Sequence, residues 1–286
     1  MVNSLINEVK VKGGFPDDNY FTDAEMLLLM NDALRTVVTP LLMRIKEELF
    51  VQQKEYTISA GGSYRIPKRC IGNKLRDVKL KDGDDYTNLN RLFEEDRQDK
   101  PTGYYIEKNT ITLSDDIDSG TLVISYFLAP SQLILEASAA EISSINSATQ
   151  VTVAALPSAI LTTTPVDFAQ SEGPYDLLEI DQTITNISGT SLTFASLPDD
   201  LAVGDWVCLS GQSPVLNAPR EVQPLLVQAT LYKCLMSKKD SSAAKEAKQE
   251  LEEMKMELLN MLDTKVESND IKFSGQGLLS YIRSRR

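Results

Sequence analysis

The sequence predicts an α+β protein in which helices from both ends of the chain pack together and β structure is inserted between them. Apolar residues recur every three or four positions near both ends of the 286-residue chain, which is the period of an α-helix. Between the ends, apolar residues alternate in short runs separated by turn residues, as in antiparallel sheets. After Pro130 the composition shifts to Ser, Thr, Ala and Val, which predicts a small antiparallel β-sandwich or barrel.

The N-terminal helices, residues 1–55, are predicted from a capping box. Thr22 and Glu25 are spaced so that the Thr hydroxyl accepts from the Glu25 amide while the Glu25 carboxylate accepts from the Thr22 amide. On the helix that starts there we expect Asn31 on the polar side, Pro40 to interrupt or restart the helix, and helix again over 41–50. The apolar stripe is predicted to comprise Leu27, Met30, Leu34, Val37 and Val38.

The β-hairpin region, residues 56–132, is predicted from alternating apolar residues. They occupy positions 56, 58, 64 and 66 around Gly61-Gly62, which is the pattern of a hairpin. A second turn falls at Lys108-Asn109, where Asn109 is the residue expected to tolerate a positive φ. Further strands are predicted at 76–80, 103–107, 110–113 and 121–127.

Residues 133–213 are predicted to form an inserted acidic β domain with Trp206 as a core anchor. No Lys, Arg or His occurs from Asn109 to Pro219, a run of 111 residues that contains thirteen carboxylates. This run carries −13 while the whole chain carries −12, so the other residues sum to +1. Because such a segment repels phosphate, we expect it to avoid DNA or to meet a basic neighbour. Strands are predicted at 150–153, 166–170, 181–187, 191–194 and 205–209.

The C-terminal helices, residues 214–266, are predicted from two apolar stripes joined by a connection at 237–242. Charged residues fill the positions between the apolar ones of the second helix, as in a helix packed in a bundle. Beyond them lies a basic docking tail, residues 267–286, whose last sixteen residues have four bases and no acid. The first stripe comprises Val222, Leu225, Leu226, Ala229, Tyr232 and Met236, and the second comprises Ala247, Leu251, Met254, Leu258 and Met261.

The composition argues against several functions. The chain has no histidine, which removes the commonest general base and metal ligand. Its three cysteines show neither a disulfide framework nor a zinc-binding spacing. No apolar run approaches the ~20 residues of a membrane span, and the start MVNSLINEVKVKGG lacks the apolar region of a signal peptide. We therefore predict no enzymatic activity, no catalytic, cofactor-binding or metal site, and no membrane partner.

Several segments carry a resemblance through their order along the chain. They are TDAEMLLLMNDALR, YTISAGGSYRIPKRCIGNKLRDVKL, GYYIEKNTITL, GTLVISYFLAPSQLI, VGDWVCLSGQSPVLNAPREVQPLLVQATLYKCLM and AKEAKQELEEMKMELLNML. In this order they resemble the head-to-tail adaptor (head-completion or connector) proteins of tailed bacteriophages, although Lys108 stands where a glycine is expected. The resemblance covers most of the chain and implies a structural protein of the virion neck.

The resemblance also implies partners. Adaptors of this kind form a ring, commonly of twelve copies, that binds the portal protein and extends the DNA channel towards the tail. A tail or tail-proximal adaptor protein is expected on the far side, and DNA is expected to pass without specific binding. The free protein is expected to be a monomer that assembles on the portal in the host cytoplasm.

Two groups of residues are the candidate sites. The basic tail either docks into a groove of the portal or is a frayed terminus. The acidic residues either line the DNA channel or form a solvated outer surface. Turn chemistry is favoured over a catalytic or calcium-binding pair for the adjacent aspartates. The docking candidates are Phe273, Leu278, Leu279, Tyr281, Ile282, Arg283, Arg285 and Arg286, and the acidic candidates are Asp115, Asp116, Asp118, Asp199 and Asp200.

Two other functions stay open at this point. The first is a binding module that displays the acidic β domain to a host or tail partner without any channel. The second is a carboxylate-based hydrolase acting on glycans, which requires two carboxyl groups roughly 5–10 Å apart in a cleft with aromatic platforms.

Overall fold

The computed structural model confirms the predicted α+β class. Helices from the two ends of the chain pack together, and several β-sheets lie between them in the sequence. The structure describes residues 1–15, 20–59, 62–93, 102–114, 116–172 and 176–262. Within these residues the helices are α1 (Val2–Lys12), α2 (Asp23–Ala33), α3 (Thr39–Ile45), α4 (Gln223–Ser237) and α5 (Ser241–Leu262).

Helix α4 is the centre of the helical body. Helices α1, α2 and α5 all contact it, and its buried residues, from Leu225 to Leu235, cover nearly every side. A polar residue on this helix, Gln228, is buried but bonded, because its Nε2 donates to the Ala247 carbonyl at 3.2 Å and to Glu250 Oε2 at 3.0 Å. A helix that is apolar nearly all round belongs between other elements, and α4 lies there.

The predicted stripes of the C-terminal helices are confirmed except at their ends. On α5, Ala247, Leu251 and Leu258 are buried, and Met254 packs partly against the same core. The prediction is wrong for Met236 and Met261, which are 53% and 58% exposed. Both residues lie near the last residue of a described helix. The apolar spacing extends that far, but no neighbouring element of the described residues covers these two side chains.

Helix α1 is absent from the sequence-based prediction, which places its first helix after Thr22. One face of α1 is buried against the helical core. The lysines in its last turn, Lys10 and Lys12, lie where they complement the negative end of the helix dipole. Its buried residues are Val2, Leu5, Ile6 and Val9.

The predicted capping box of α2 is confirmed, but the predicted position of Asn31 is wrong. Thr22 Oγ1 accepts from the Glu25 amide at 3.3 Å, and the Glu25 carboxylate accepts from the Thr22 amide at 2.8 Å. Asn31 is only 6% exposed. Its Nδ2 donates to the Leu133 carbonyl at 2.9 Å, and its Oδ1 accepts from the Leu133 amide at 2.8 Å. This side chain therefore ties α2 to the start of the inserted β domain.

The connection from α2 to α3 explains the role of Pro40. A π-helical turn, Leu34–Val38, joins the two helices, and Pro40 is the second residue of α3, directly after that turn. The backbone stays helical through Val38 and Thr39, so the missing N–H of Pro40 falls where the π turn has already altered the usual pattern of hydrogen bonds. The expected interruption is therefore a π-helical turn within a continuous helical segment. The predicted helix over 41–50 is wrong in its second half, because α3 ends at Ile45 and Glu47–Phe50 form a 3₁₀ turn.

The helical segment Asp23–Ile45 is unexpectedly long and apolar. It has 23 residues and a hydropathy of 1.3, enough to cross a membrane by length and composition alone. This corrects the expectation that no apolar run approaches that length. Met26, Met30 and Leu34 on its apolar face are buried in the helical core, and 39% of its apolar window is buried within the chain.

Two facing sheets follow the first helices and form a sandwich around one core. Strand β8 is buried along nearly its whole length because it contacts two cores. Its residue Tyr126 lies in the sandwich core, and Phe127 on the opposite face lies in the helical core. The strands are β1 (Val51–Thr57), β2 (Ser63–Arg65), β3 (Cys70–Asp82), β4 (Asp85–Asn88), β5 (Asn90–Arg91), β6 (Gly103–Glu107), β7 (Thr110–Leu113) and β8 (Thr121–Leu128).

The predicted hairpin around Gly61-Gly62 is wrong. Strand β1 pairs with β8 in the sheet β1-β8-β3-β4, whereas β2 pairs with β7 in the sheet β2-β7-β6-β5. The chain therefore crosses between sheets here, and β1 is left at an edge. The β6–β7 hairpin is confirmed, but the positive φ of 55° belongs to Lys108 and not to Asn109. Lys108 thus occupies a position where glycine would carry no strain.

The inserted β domain is a curled antiparallel half-barrel, in agreement with the predicted small sandwich or barrel. Among the described residues its strand order is β13-β12-β16-β10-β11-β15-β14. Strand β10 is absent from the sequence-based prediction, and the strand predicted at 181–187 is divided between β13 and β14. The strands are β10 (Ala140–Ser147), β11 (Gln150–Val153), β12 (Pro165–Ala169), β13 (Leu177–Thr183), β14 (Asn186–Ser188), β15 (Ser191–Thr193) and β16 (Trp206–Leu209).

The two faces of the half-barrel sheet contact different clusters. Phe168 and Phe194 fill the inner core with ring centroids 5.0 Å apart. Trp206 is buried on the other face beside Cys208 and Val215, so it is a core residue as predicted, but of a second cluster and not of the inner core. A short parallel pair, β9 (Gln132–Leu133) with β17 (Gln212–Ser213), closes the stem where the chain enters and leaves the half-barrel.

Candidate functional site

The predicted docking tail lies outside the described residues. This holds for each of its candidate side chains, from Phe273 to Arg286. Docking of this tail on a portal therefore stays a prediction.

The acidic candidates lie in two separate places. Asp116 and Asp118 lie in the link from β7 to β8 at one tip of the sandwich, and Asp115 is outside the described residues. Asp199 and Asp200 lie in the half-barrel, on the loop before β16. Strand β8 leads from the first place towards the half-barrel, and its eight residues span ~26 Å at about 3.3 Å per residue. The structure does not bring the candidates into one surface.

Asp116 is held by the hydroxyl groups of neighbouring residues. Thr102 Oγ1 donates to Asp116 Oδ2. Hydrogen bonds from the side chains of Ser114 and Thr102, in that order of size, hold the pKa of Asp116 below its ordinary value. The carboxylate is therefore ionised at neutral pH and faces solvent at a turn, as its sequence position predicts.

Asp199 and Asp200 form the predicted turn and are both exposed. Asp200 also lines a cavity of about 790 Å³ at this end of the half-barrel. Two further exposed carboxylates, Glu141 and Glu172, share that cavity. The N-terminal Met1 and Arg220 line it as well.

Not all thirteen carboxylates of the base-free run belong to a surface, because Asp167 and Asp205 are buried. Asp205 closes the loop before β16. It accepts from the amides of Ala202 at 2.8 Å and Ser171 at 2.9 Å, and from the Ser171 hydroxyl at 3.3 Å. The Asp205 carboxylate therefore forms its hydrogen bonds within the fold and is not part of an acidic surface.

Asp167 joins the half-barrel to the sandwich. Its Oδ2 lies 2.5 Å from Nη1 of Arg69, which precedes β3 of the sandwich, and accepts from the Gly211 amide at 2.9 Å. Its Oδ1 accepts from the Asp181 amide at 2.9 Å. Asp181 has a positive φ of 56° at an irregularity in the pairing of β12 with β13. One carboxylate thus holds a bulge, a turn and a neighbouring sheet together.

The burial of Asp167 affects its pKa and that of a nearby thiol. Desolvation raises the pKa of Asp167, while the Arg69 guanidinium and the two backbone amides oppose that rise without cancelling it. Burial, and secondarily the Asp167 charge, raises the pKa of the Cys208 thiol. The other two thiols are buried too, and burial raises the pKa of Cys70 and raises that of Cys234 to about 11. All three thiols are thus poor nucleophiles at neutral pH.

A cleft of about 740 Å³ separates the sandwich from the half-barrel. Strand β1 forms one wall, and strand β13 forms the other. Both strands lie at the edge of their sheets. Lys54, Arg65 and Lys68 line the sandwich side, while Glu179 and Asp181 line the half-barrel side. The basic neighbour expected for the acidic module is therefore present in the same chain.

Among the described residues, no group of three or more Cys, Asp or Glu side chains is placed to hold a metal ion. Sequence reasoning singled out neither Arg69 nor Asp167. One signal was available: Asp167 interrupts a strand whose neighbours, Val166 and Phe168, are apolar, and a charged residue there requires a buried partner.

No protein-family model matches this chain, and no curated protein matches it.

Proposed function

We propose that this chain is a structural protein of a tailed-phage virion. In this proposal it is a head-to-tail adaptor that forms a ring on the portal protein and extends the DNA channel towards the tail. It resides in the neck of the virion, assembles in the host cytoplasm and contacts a tail or tail-proximal adaptor protein on its far side.

The observation that carries the proposal is the distribution of charge over the fold. Residues 133–213 contain ten carboxylates and no base. Two of these carboxylates, Asp167 and Asp205, are buried and bonded. The others in the described residues reach the surface at least in part. Sequence-independent DNA binding comes from Lys and Arg through the release of counterions, so a domain without bases lets DNA pass without holding it.

The arrangement of the domains supports the same function. Helices from both ends of the chain form one body, and the half-barrel leaves it through the stem formed by β9 and β17. Rings are built from heterologous contacts, in which one patch meets a different patch on the next copy. This chain has two such patches: the acidic half-barrel, and the group of exposed bases Lys54, Arg65 and Lys68 that lines the cleft.

Electron microscopy of the protein mixed with its portal tests the proposal. We expect a ring with a central hole coaxial with the portal, with twelve copies as the number that the resemblance implies. Particles that decorate the outside of the portal, with no hole, would favour the binding module instead.

Removal of Ser274–Arg286 tests the role of the tail. We expect attachment to the portal to be lost while circular dichroism shows the same fold. A matched variant keeps the tail length and replaces only Leu278 and Leu279 by Ser, which separates apolar docking from charge. Normal DNA-filled, tailed particles from the truncated protein would contradict docking through the tail.

A further inference from the structure

We propose that neighbouring copies of this chain join head to tail through charge: the loop of one copy that carries Asp199 and Asp200 docks in the cleft between the sandwich and the half-barrel of the next copy. The inference rests on the proposed ring and names the contact that would build it. It also gives a role to a pair of aspartates that turn geometry alone leaves without a partner.

The first argument is the shape of the cleft. Its two walls are the edge strands β1 and β13, and each presents one side on which no strand in the described part of the chain pairs with it. Unpaired edge strands are prone to contact with another chain unless something covers them. Leu177 and Ile180 of β13 line the cleft and also pack against the sandwich core, so the two walls are in contact along part of their length.

The second argument is the unbalanced charge of the cleft. The side chains of Lys54, Arg65 and Lys68 are exposed, and within the described residues none of them has an ion pair or a side-chain hydrogen bond. Among the residues that the structure describes, Glu179 and Asp181 opposite accept only from neutral groups, those of Gln182 and Ser210, which offset no carboxylate charge. Three bases without a partner there therefore face two acids, and the balance of the cleft is positive. The cleft therefore fits an occupant that brings negative charge.

The third argument is that this chain supplies such an occupant. Asp199 and Asp200 are exposed, with the exposed carboxylates Glu141 and Glu172 near Asp200 in the same cavity. Val203, on the same loop, is 62% exposed and adds an apolar contact. Arg220 and the N-terminal amine offset part of this charge inside the cavity, whereas Asp199 lies outside its lining.

The fourth argument is that the two patches cannot meet within one copy. The acidic loop leads into β16 at Trp206, and Ser210 and Gly211, just after the other end of β16, line the cleft. Four strand residues at about 3.3 Å each place the two patches ~13 Å apart or more, at opposite ends of the half-barrel. A contact between them therefore joins different copies and propagates, as a ring requires.

Disulfide trapping on the full-length chain at low ionic strength tests the contact, both on the free chain at high concentration and on the chain mixed with its portal. The three native thiols are buried, so new surface cysteines react alone. With Lys68→Cys and Asp200→Cys in one chain, we expect oxidation to give a ladder of trimers and larger species on a non-reducing gel. Each single variant has only one new thiol and stops at dimers.

The matched control pairs Lys68→Cys with Asp116→Cys, an exposed acid at the far tip of the sandwich. We expect no species beyond dimers from this control. In the first variant, the additional changes Lys54→Glu and Arg65→Glu should lower the ladder yield roughly tenfold or more, because like charges then face each other. Further reversal by Asp199→Lys should restore part of the yield. About 1 M salt should weaken the ladder, because the Debye length falls to about 3 Å.

Each outcome decides the inference. No ladder, an equal ladder from the Asp116→Cys control, or a ladder indifferent to charge reversal overturns the contact. Binding of a short DNA duplex that is lost with Lys54→Glu and Arg65→Glu, in the absence of a ladder, would assign the cleft to phosphate instead. A portal-bound ring seen by microscopy without a ladder would contradict the contact and leave the proposed function intact. A ladder with no ring on the portal would support the contact and contradict the proposed function.

Discussion

Arg69 and Asp167 are 98 residues apart in the sequence, and their side chains meet at 2.5 Å between the sandwich and the half-barrel. The guanidinium also donates from Nη2 to the Ser131 hydroxyl at 3.1 Å, at the stem through which the chain enters the half-barrel. One arginine therefore makes polar contacts with both the half-barrel and its stem, beside the apolar contacts of Leu177 and Ile180 with the sandwich core. Because the Asp167 carboxylate is fully buried, it has no water to replace that arginine.

Replacement of Arg69 by Met should lower the free energy of unfolding by roughly 3–5 kcal/mol, since it leaves a buried carboxylate without its cation. Urea unfolding followed by fluorescence of the single Trp, Trp206, and by circular dichroism measures the loss. Lys68→Met is the control. Lys68 directly precedes Arg69 and its side chain is exposed, so this replacement should change the free energy of unfolding by about 0.5 kcal/mol or less. A second change, Asp167→Asn, should recover part of the loss, because it removes the buried charge while its amide oxygen can still accept from one of the two backbone amides. Equal stability of the two single variants would contradict the role of Arg69.

The penalty of Arg69→Met should also depend on pH. Burial already raises the pKa of Asp167 above its ordinary value, and loss of the guanidinium raises it further. When the pKa of an acid is higher in the folded state than in the unfolded state, its charge destabilises the fold. This destabilisation is complete at pH values above the folded-state pKa and absent below the unfolded-state pKa of about 3.9. The stability gap between variant and wild type should therefore narrow as the pH is lowered towards 4. A gap that widens on acidification would contradict this prediction.

Replacement of Asn31 by Ala should destabilise the contact between α2 and the inserted domain. It leaves the buried amide and carbonyl of Leu133 without partners, and each such group costs about 1–3 kcal/mol. Chemical denaturation measures the loss. Asp32→Ala is the control at the next position, because it removes only the partly exposed ion pair with Lys233, worth about 0–1 kcal/mol. A loss at Asp32 as large as that at Asn31 would disprove the assignment.

Replacement of Thr22 by Ala should lower the free energy of unfolding by about 1 kcal/mol through loss of the helix cap. Hydrogen bonds from the backbone and then the side chain of Thr22 hold the pKa of Glu25 below its ordinary value. Because the folded-state pKa of Glu25 is lowered, its ionised carboxylate stabilises the fold at pH values above the unfolded-state pKa of about 4.3. This stabilisation is lost as the pH falls through the folded-state pKa. The gap between wild type and Thr22→Ala should therefore shrink at pH 3. Thr36→Ala, an exposed site on the same helical segment that does not cap it, should show no such trend.

The native thiols should resist a water-soluble disulfide reagent. Cys70, Cys208 and Cys234 are buried, and burial raises the pKa of each thiol, which lowers the thiolate fraction. We expect little reaction in buffer and three reactive thiols in denaturant, measured by release of the chromophore. Lys68→Cys should add one fast-reacting thiol in buffer. Rapid reaction of the wild-type protein would contradict the burial of these side chains.

Local patterns in the sequence are sufficient to predict an element when its neighbours cover one regular face of it. Residue spacing alone predicts the strands at 103–107 and 110–113, the cap at Thr22 and the buried face of α5. Partners distant in sequence leave no such signal. Alternation around Gly61-Gly62 predicts two strands correctly, but it does not indicate that they pair with β8 and β7 in different sheets.

The candidate site was predictable only in part for the same reason. The absence of bases marks the half-barrel as acidic, and turn residues locate Asp199 and Asp200. The cleft opposite them requires the fold, because Lys54, Arg65 and Lys68 lie on different elements and become a row only when β1 and β2 lie beside the half-barrel.

Strand β8 has a mechanical consequence. Tyr126 and Phe127 anchor adjacent residues of one strand in two different cores, so the sandwich cannot be pulled from the helices without extracting a buried aromatic ring. A force applied to either part should therefore break both in one event, while the half-barrel, whose tie to the sandwich centres on Arg69 and Asp167, yields separately. In the proposed ring, such a chain would act as a stiff frame that carries one adjustable attachment.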